Sequence, residues 1–262
     1  MSLIRVREHL IRFILNRKRE VYHNGVKLWF ATPNYICNYR ARSFSTKEPE
    51  TLAWIDGFGN DEVFWDIGAN VGIYSVYAAK TRNCEVWAFE PSVFNLEFLA
   101  RNINLNGMHE LIHILPIALN DKIGFNTMKH SSASWGGALS VFDKDYGQDG
   151  KKIENNISYI TLGLTIDFAV SSLEVPLPDY VKMDVDGIEH LILSGGKQSI
   201  SNAKEILVEI NEDLEEQRTL CYTVLQDCGF ELSSKGAYAN KDLKLSNQIW
   251  KKKPTDLPMV YK

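Results

Sequence analysis

The sequence predicts an α/β fold, Rossmann-like, with a mostly parallel sheet and helices on both faces. Two observations carry this. From residue 63 onward short apolar runs alternate with longer helical stretches, the pattern of βαβ crossovers, and the first run ends in Asp66 and a glycine-rich turn. Length and composition agree: 262 residues, 45% hydrophobic and 24% charged, suit one large globular domain or one and a half, and exclude fibrous and disordered classes.

Taken in order, residues 1–60 read as an extension holding an N-terminal helix, a hairpin around Thr32-Pro33-Asn34 and a helix near Pro49 to Trp54. Strands are predicted at 63–67, 85–89, 112–117, 180–183, 206–210, 230–232 and 248–251. The first crossover, VGIYSVYAAKTRN, is helical. The second, PSVFNLEFLARNINLNG, opens with Pro91 in a first-turn position, buries Phe94, Leu96, Phe98, Leu99 and Ile103, and stops at Gly107. Helices follow Asp184 (GIEHLILSGGKQSI) and Asn211 (EDLEEQRTLCYTVLQDCGF), the latter with an acidic first turn that suits the helix dipole. The main domain is thus 61–262, interrupted at 122–160 by a polar, Gly/Ser-rich stretch that reads as an irregular insertion carrying at most short strands.

Lys+Arg 29 against Asp+Glu 33 gives a net charge of −4, the wrong sign for a chain whose main partner is nucleic acid. The four cysteines form no C-x-x-C pair and have no histidine at zinc spacing, so a reduced, cytoplasmic protein without a structural metal is expected. No apolar run reaches the ~18 residues that span a bilayer. The first fifteen residues mix Ile4, Leu10, Ile11, Ile14 and Leu15 with Arg5, Arg7, Glu8 and Arg12, unlike a secretory signal. They predict an amphipathic helix, packed on the domain or a second subunit, or lying on an anionic membrane. The first twenty residues hold six Arg/Lys against two Glu.

Chemistry concentrates at Asp66-Ile67-Gly68-Ala69-Asn70-Val71-Gly72, where a buried strand turns through Gly-x-Asn-x-Gly into a helix. Glycines at the carboxyl end of such a strand let a ligand approach the backbone. A dinucleotide fingerprint would need glycine where Asn70 and Ile73 stand, and Asp66 would repel a pyrophosphate while attracting the ammonium and sulfonium of S-adenosylmethionine. Glu90, ending the second strand, suits a ribose diol. Read structurally instead, Asp66 caps the helix and Glu90 is a solvated strand end.

These residues resemble the FkbM family of S-adenosylmethionine-dependent methyltransferases. The resemblance runs from Val63 to Trp250 and includes Glu90-Pro91, Asn102-Ile103-Asn104-Leu105-Asn106, Ala118-Leu119-Asn120-Asp121, Lys182 to Glu189, Gly195-Gly196 and Val208-Glu209-Ile210; Asp186 stands where the family usually has Glu. It implies a class I methyltransferase fold, a seven-stranded sheet with an antiparallel last strand, and methyl transfer to a hydroxyl, often of a sugar or polyketide-like product. Asp66, Gly68, Ala69, Asn70 and Gly72 would border the methionine portion of the cofactor. Glu90 would hold the ribose, and Pro91, Ser92, Ala118 and Leu119 would frame the adenine.

In-line transfer to an alcohol needs the oxygen aligned and its proton removed, with no metal required. Asp184, ending the fourth strand, and Glu189, in the next helix's first turn, are the candidate catalytic residues. Against this, Asp186 reads as a helix cap and Glu189 as an acceptor for backbone donors. His130 in its polar stretch reads as solvated, His190 as facing another side of its helix, and Trp135 as a sugar-stacking residue or a loop anchor. Two other readings of the fold are an NAD- or nucleotide-sugar-binding enzyme, disfavoured by Asp66 and the missing glycine, and a non-catalytic interaction module docking through the basic N-terminal helix.

Overall fold

Most strands form where apolar runs can be buried on both faces, as a parallel sheet requires. The computed structural model describes residues 3–154, 157–238 and 243–253. Helix α1 (Leu3–Leu15) leads into strands β1 (Lys18–His23) and β2 (Val26–Ala31), then α2 (Tyr35–Arg42), α3 (Phe44–Lys47) and α4 (Pro49–Asp56). Next come β3 (Val63–Ile67), α5 (Ile73–Arg82), β4 (Glu85–Phe89), α6 (Val93–Asn106) and β5 (Ile112–Leu115). Strands β6 (Ala118–Leu119), β7 (Gly124–His130), β8 (Ser140–Phe142) and β9 (Ile157–Leu164) precede α7 (Ile166–Leu173). The chain closes with β10 (Tyr180–Met183), α8 (Glu189–Ser194), α9 (Lys197–Ile200), β11 (Glu205–Asn211), α10 (Glu215–Asp227), β12 (Phe230–Lys235) and β13 (Leu245–Lys252).

The described residues form a central seven-stranded sheet in the order β12-β13-β11-β10-β3-β4-β5, parallel except at β13, which runs antiparallel to both neighbours. The predicted strands and fold class therefore hold. The third strand stops at Leu115 rather than residue 117, because Pro116 has no N–H to extend the ladder.

Two expectations about the flanking regions are corrected. The hairpin turns at Asn24-Gly25, both at positive φ (46° and 78°), as a tight two-residue turn requires. Thr32-Pro33-Asn34 instead ends β2 and starts α2, with Asn34 Oδ1 accepting from Cys37 N at 2.8 Å. Nor does the stretch at 122–160 carry only short strands: β7 pairs with β9 over seven residues and with β8 over three, and β6 completes a four-stranded sheet, while 131–139 and 143–154 are without named strands. One face of that sheet meets water, so its strands tolerate the polar residues that disguised them.

Each face of the central sheet carries its own core. On one face, Phe30, Phe44, Trp54 and Phe58 of the extension pack with Phe64, Tyr77, Phe98 and Leu207. On the other, Trp65, Phe89, Met183 and Val208 meet helices α7 to α10, with Met128 and Phe142 of the small sheet. The extension thus completes the core.

Side-chain amides dock it there. Asn102 and Asn106, one turn apart on α6, stand in for a neighbouring strand at the edge of β2. Asn102 Oδ1 accepts from Ala31 N at 2.7 Å, and Asn106 accepts from Trp29 N (2.9 Å) and donates to Trp29 O (2.7 Å). Asn102 Nδ2 also donates to Val71 O at 2.7 Å, which ties the extension to the glycine turn. Asn102→Ala would strand a buried N–H and C=O and is expected to cost about 2–4 kcal/mol in urea unfolding. Exposed Asn104→Ala should stay within about 0.5 kcal/mol of wild type.

Candidate active site

The carboxyl ends of β3, β4 and β10 open onto a cleft walled by Gly68, Asn70, Glu90, Asn95, Asp184 and Asp186, with Pro91, Ala118, Leu119 and Phe142 as apolar surface. A crevice at this end of an open α/β sheet is where ligands bind.

The turn after β3 is fastened to β4 by backbone bonds from Gly68 N and Ala69 N to Phe89 O (3.0 and 3.1 Å). Its glycines serve the chain's own packing. At Gly68 (φ +82°) a Cβ would lie 2.0 Å from Asp184 O, and at Gly72 (φ +74°) one would lie 2.3 Å from Leu99 Cδ1. Glu90 reaches across the turn: Oε2 accepts from Asn70 N at 2.7 Å and Oε1 from Ser92 N at 2.8 Å. Glu90 is buried, not the solvated strand end of the alternative reading, and burial outweighs those donors to push its carboxyl up to about 7.

Other expected cofactor residues lie behind the wall. Asp66 is buried beneath the turn, with Oδ2 accepting from Ser75 Oγ and Oδ1 without a partner among the described residues. Burial raises its pKa, while the Lys182 ammonium opposes the rise. Ala69, Gly72 and Ser92 are not among the residues lining the cleft.

On the opposite wall Asp184 accepts from Lys182 Nζ at 3.2 Å. Burial pushes the Asp184 carboxyl up, but Lys182, Lys47 and Arg40 together hold it below its ordinary range. Asp186, at φ +61°, accepts from Ser140 N at 3.1 Å, and burial beside the Asp184 charge pushes it up to about 6. Glu189, expected as a catalytic residue, does not reach the cleft wall. It is buried behind the turn, with Oε1 accepting from Val185 N (3.1 Å) and Gly187 N (3.2 Å) and Oε2 from Gln217 Nε2. Burial pushes its carboxyl up to about 7.

His130 is buried rather than solvated, its Nε2 3.1 Å from Tyr159 Oη. His190 is buried as well. Trp135 is a loop anchor, its ring 5.1 Å from that of Phe98 and its carbonyl accepting from Asn34 Nδ2. Sequence reasoning missed Asn95, Ser140, Met128 and Phe142 on the wall and the cations Arg40 and Lys47 near Asp184. Only Asn95 carried a signal, lying in the first turns of the helix after Pro91. Among the described residues no group of three or more His, Cys, Asp or Glu is arranged to hold a metal ion.

Gly68→Ala combines backbone strain with a backbone collision and is expected to cost more than about 3 kcal/mol, against about 1 kcal/mol for Gly107→Ala, where φ is +69° but no atom lies within 4 Å. In thermal unfolding Gly107→Ala should lower Tm by about 2–4 °C and Gly68→Ala by at least twice that.

Comparison with known proteins points the same way. The family described as Methyltransferase FkbM domain matches residues 66–232. The chain is 26% identical over 174 residues to the hexuronic acid methyltransferase AglP of Haloferax volcanii, the match covering 66% of each protein, so the chain spans just under two thirds of that relative. Among solved structures it resembles the putative transferase PH0793 of Pyrococcus horikoshii (TM-score 0.50, 14% identity, 89% of this chain and 71% of that one). It also resembles TYW2 of P. horikoshii in complex with MeSAdo (TM-score 0.50, 14% identity, 89% and 70%). The cleft fits the methyl donor: Glu90 offers a carboxylate to a ribose diol, Pro91, Ala118, Leu119 and Phe142 an apolar slot, and Asp184 a negative charge toward the sulfonium. The family match, which covers more than half of the chain, together with this cleft, places the protein in the FkbM methyltransferase domain family, with S-adenosylmethionine as its cofactor.

Proposed function

We propose that the chain is an O-methyltransferase acting on a hydroxyl of a small-molecule or sugar acceptor in the cytoplasm. The observation that carries this reading is Asp184, a carboxylate on the cleft wall opposite Glu90 that lies 3.2 Å from Lys182 Nζ. S-adenosylmethionine supplies an electrophilic methyl group. The acceptor oxygen forms the new C–O bond as the C–S bond breaks, S-adenosylhomocysteine leaves, and the hydroxyl proton must pass to a base.

In this reading Glu90 accepts from the ribose hydroxyls and Pro91, Ala118 and Leu119 frame the adenine, with Ser92 holding Glu90 in place. Gly68 and Asn70 face the methionine portion, backed by Asp66, Ala69 and Gly72. Asp184 orients the acceptor hydroxyl and takes its proton. Glu189 is a positioning residue that fixes the 185–187 turn beneath Asp184 and Asp186. Arg40 and Lys47 bring positive charge toward Asp184. That charge suits an acceptor carrying a carboxylate, in keeping with the name of the Haloferax relative. The four buried, free cysteines suit a reducing compartment.

A screen of labelled-methyl transfer from S-adenosylmethionine over hydroxylated metabolites, uronic acids included, tests this. Alkali-stable methyl ether is the expected product, and transfer to carboxylate or nitrogen alone would overturn it. Asp184→Asn should lower kcat by about 100-fold or more, with S-adenosylhomocysteine binding changed by less than about threefold.

Glu90 generates a pH dependence. Its carboxyl titrates at about 7 in the free protein, and two hydroxyl donors favour the ionised form, so binding the cofactor releases a proton. Affinity for S-adenosylhomocysteine, measured by calorimetry, should therefore plateau above about pH 7 and fall by up to about tenfold per unit below it. Glu90→Gln should bind more weakly and without that profile.

A further inference from the structure

Among the described residues, helix α1 is left without a packing partner along its first three turns. Among its described side chains every one from Ile4 to Phe13 is exposed, and Ile4, Leu10, Ile11 and Phe13 are 56–69% exposed. Of the helix, Leu15 is the residue that packs against the core. An isolated 13-residue helix is marginal in water, and one that exposes this much apolar surface has an unmet partner.

The chemistry around it selects the partner. At about 100° per residue, Ile4, Val6, Leu10, Ile11 and Phe13 fall in one arc, and Arg5, Glu8, His9 and Arg12 occupy the opposite side. Arg7 sits within the apolar arc. A dry protein face would bury that guanidinium, whereas at a lipid interface its long stem lies along the acyl boundary and its charge reaches the phosphates. At the foot of the helix Arg17, Lys18 and Arg19 line an open depression with Glu20, Thr32 and Asn38. Six basic residues against two acidic ones in the first twenty stand in a chain of net charge −4. Two copies of this helix would repel each other, while an anionic surface complements it. At ~1.5 Å per residue the helix is about 20 Å long, too short to cross a bilayer, so it lies in the interface plane.

We infer that α1 and the basic segment after it dock the protein on an anionic phospholipid bilayer. The inference is independent of the acceptor and of the transfer reaction.

Flotation of the full chain with phosphatidylcholine vesicles, with and without about 30% phosphatidylglycerol, tests it. The protein is expected to float with the anionic vesicles, to stay behind with the neutral ones, and to be released at about 0.5 M salt. Arg5→Gln and Arg12→Gln should each lower partitioning about fivefold, and Ile11→Ser with Phe13→Ser should abolish it. Unchanged S-adenosylhomocysteine binding by these variants shows that they are folded. Equal binding to neutral vesicles, no binding to either, or a dimer in light scattering that Ile11→Ser with Phe13→Ser dissolves would each overturn the proposal.

Discussion

A lysine ammonium buried in the middle of the central sheet sets the terms for everything around it. Lys182 is 1% exposed on β10, where an unpaired charge would cost several kcal/mol. Asp66 is its register partner on β3, and Asp184 lies just past the end of its own strand. Although burial pushes the other way, the charges of Asp184, Asp66 and Glu48 hold the Lys182 pKa above its ordinary value. Glu48 comes from the extension and accepts from Tyr74 Oη at 2.9 Å, the ring of Tyr74 lying 5.3 Å from Lys182 Nζ. One cation thus requires the end of β3, the end of β10 and the α3–α4 junction to meet at one point, and Lys47 joins through its 2.6 Å pair with Glu48.

Above that charge cluster the loops of the cleft are held by carboxylates that accept backbone N–H groups. Glu90 takes Asn70 and Ser92, Asp186 takes Ser140, and Glu189 takes Val185 and Gly187. The bonds to Glu90 and Glu189 fix turn segments that no sheet or helix ladder reaches, and the bond to Asp186 anchors the start of β8, as buried backbone donors require. All three carboxyls are desolvated, so their protonation and the geometry of the cleft are linked.

The central sheet was legible because doubly covered strands write themselves as continuous apolar runs, and because Asp66 and Glu90 fall at strand ends where ligands gather. Glu189 was harder to place. Its spacing from Asp184 suits either a catalytic group or a latch on its own turn, and only Gln217, 28 residues on, turned its second oxygen away from the cleft. Arg40 and Lys47 carry no local pattern at all, since their nearness to Asp184 depends on how α2 and α3 settle over the sheet. The small sheet escaped notice for another reason. Its two-residue alternation is hidden because consecutive residues at the starts of β7 and β9 are exposed on both faces, and its strands are joined by long polar loops.

That small sheet ties two parts of the cleft into one piece. Ala118 and Leu119 are paired with Gly163 and Leu164 of β9, and β7 links β9 to the strand that carries Ser140 and Phe142. Gly163 has no side chain because the Phe142 ring occupies its space, 2.4 Å from where a Cβ would stand. The slot assigned to adenine and the backbone donor to Asp186 therefore share one scaffold. For anyone seeking to retarget the enzyme by exchanging loops, the graft points lie at the β7–β8 and β8–β9 connections. An exchange that takes β6 or β9 with it would carry off Ala118 and Leu119, and with them part of the cleft wall.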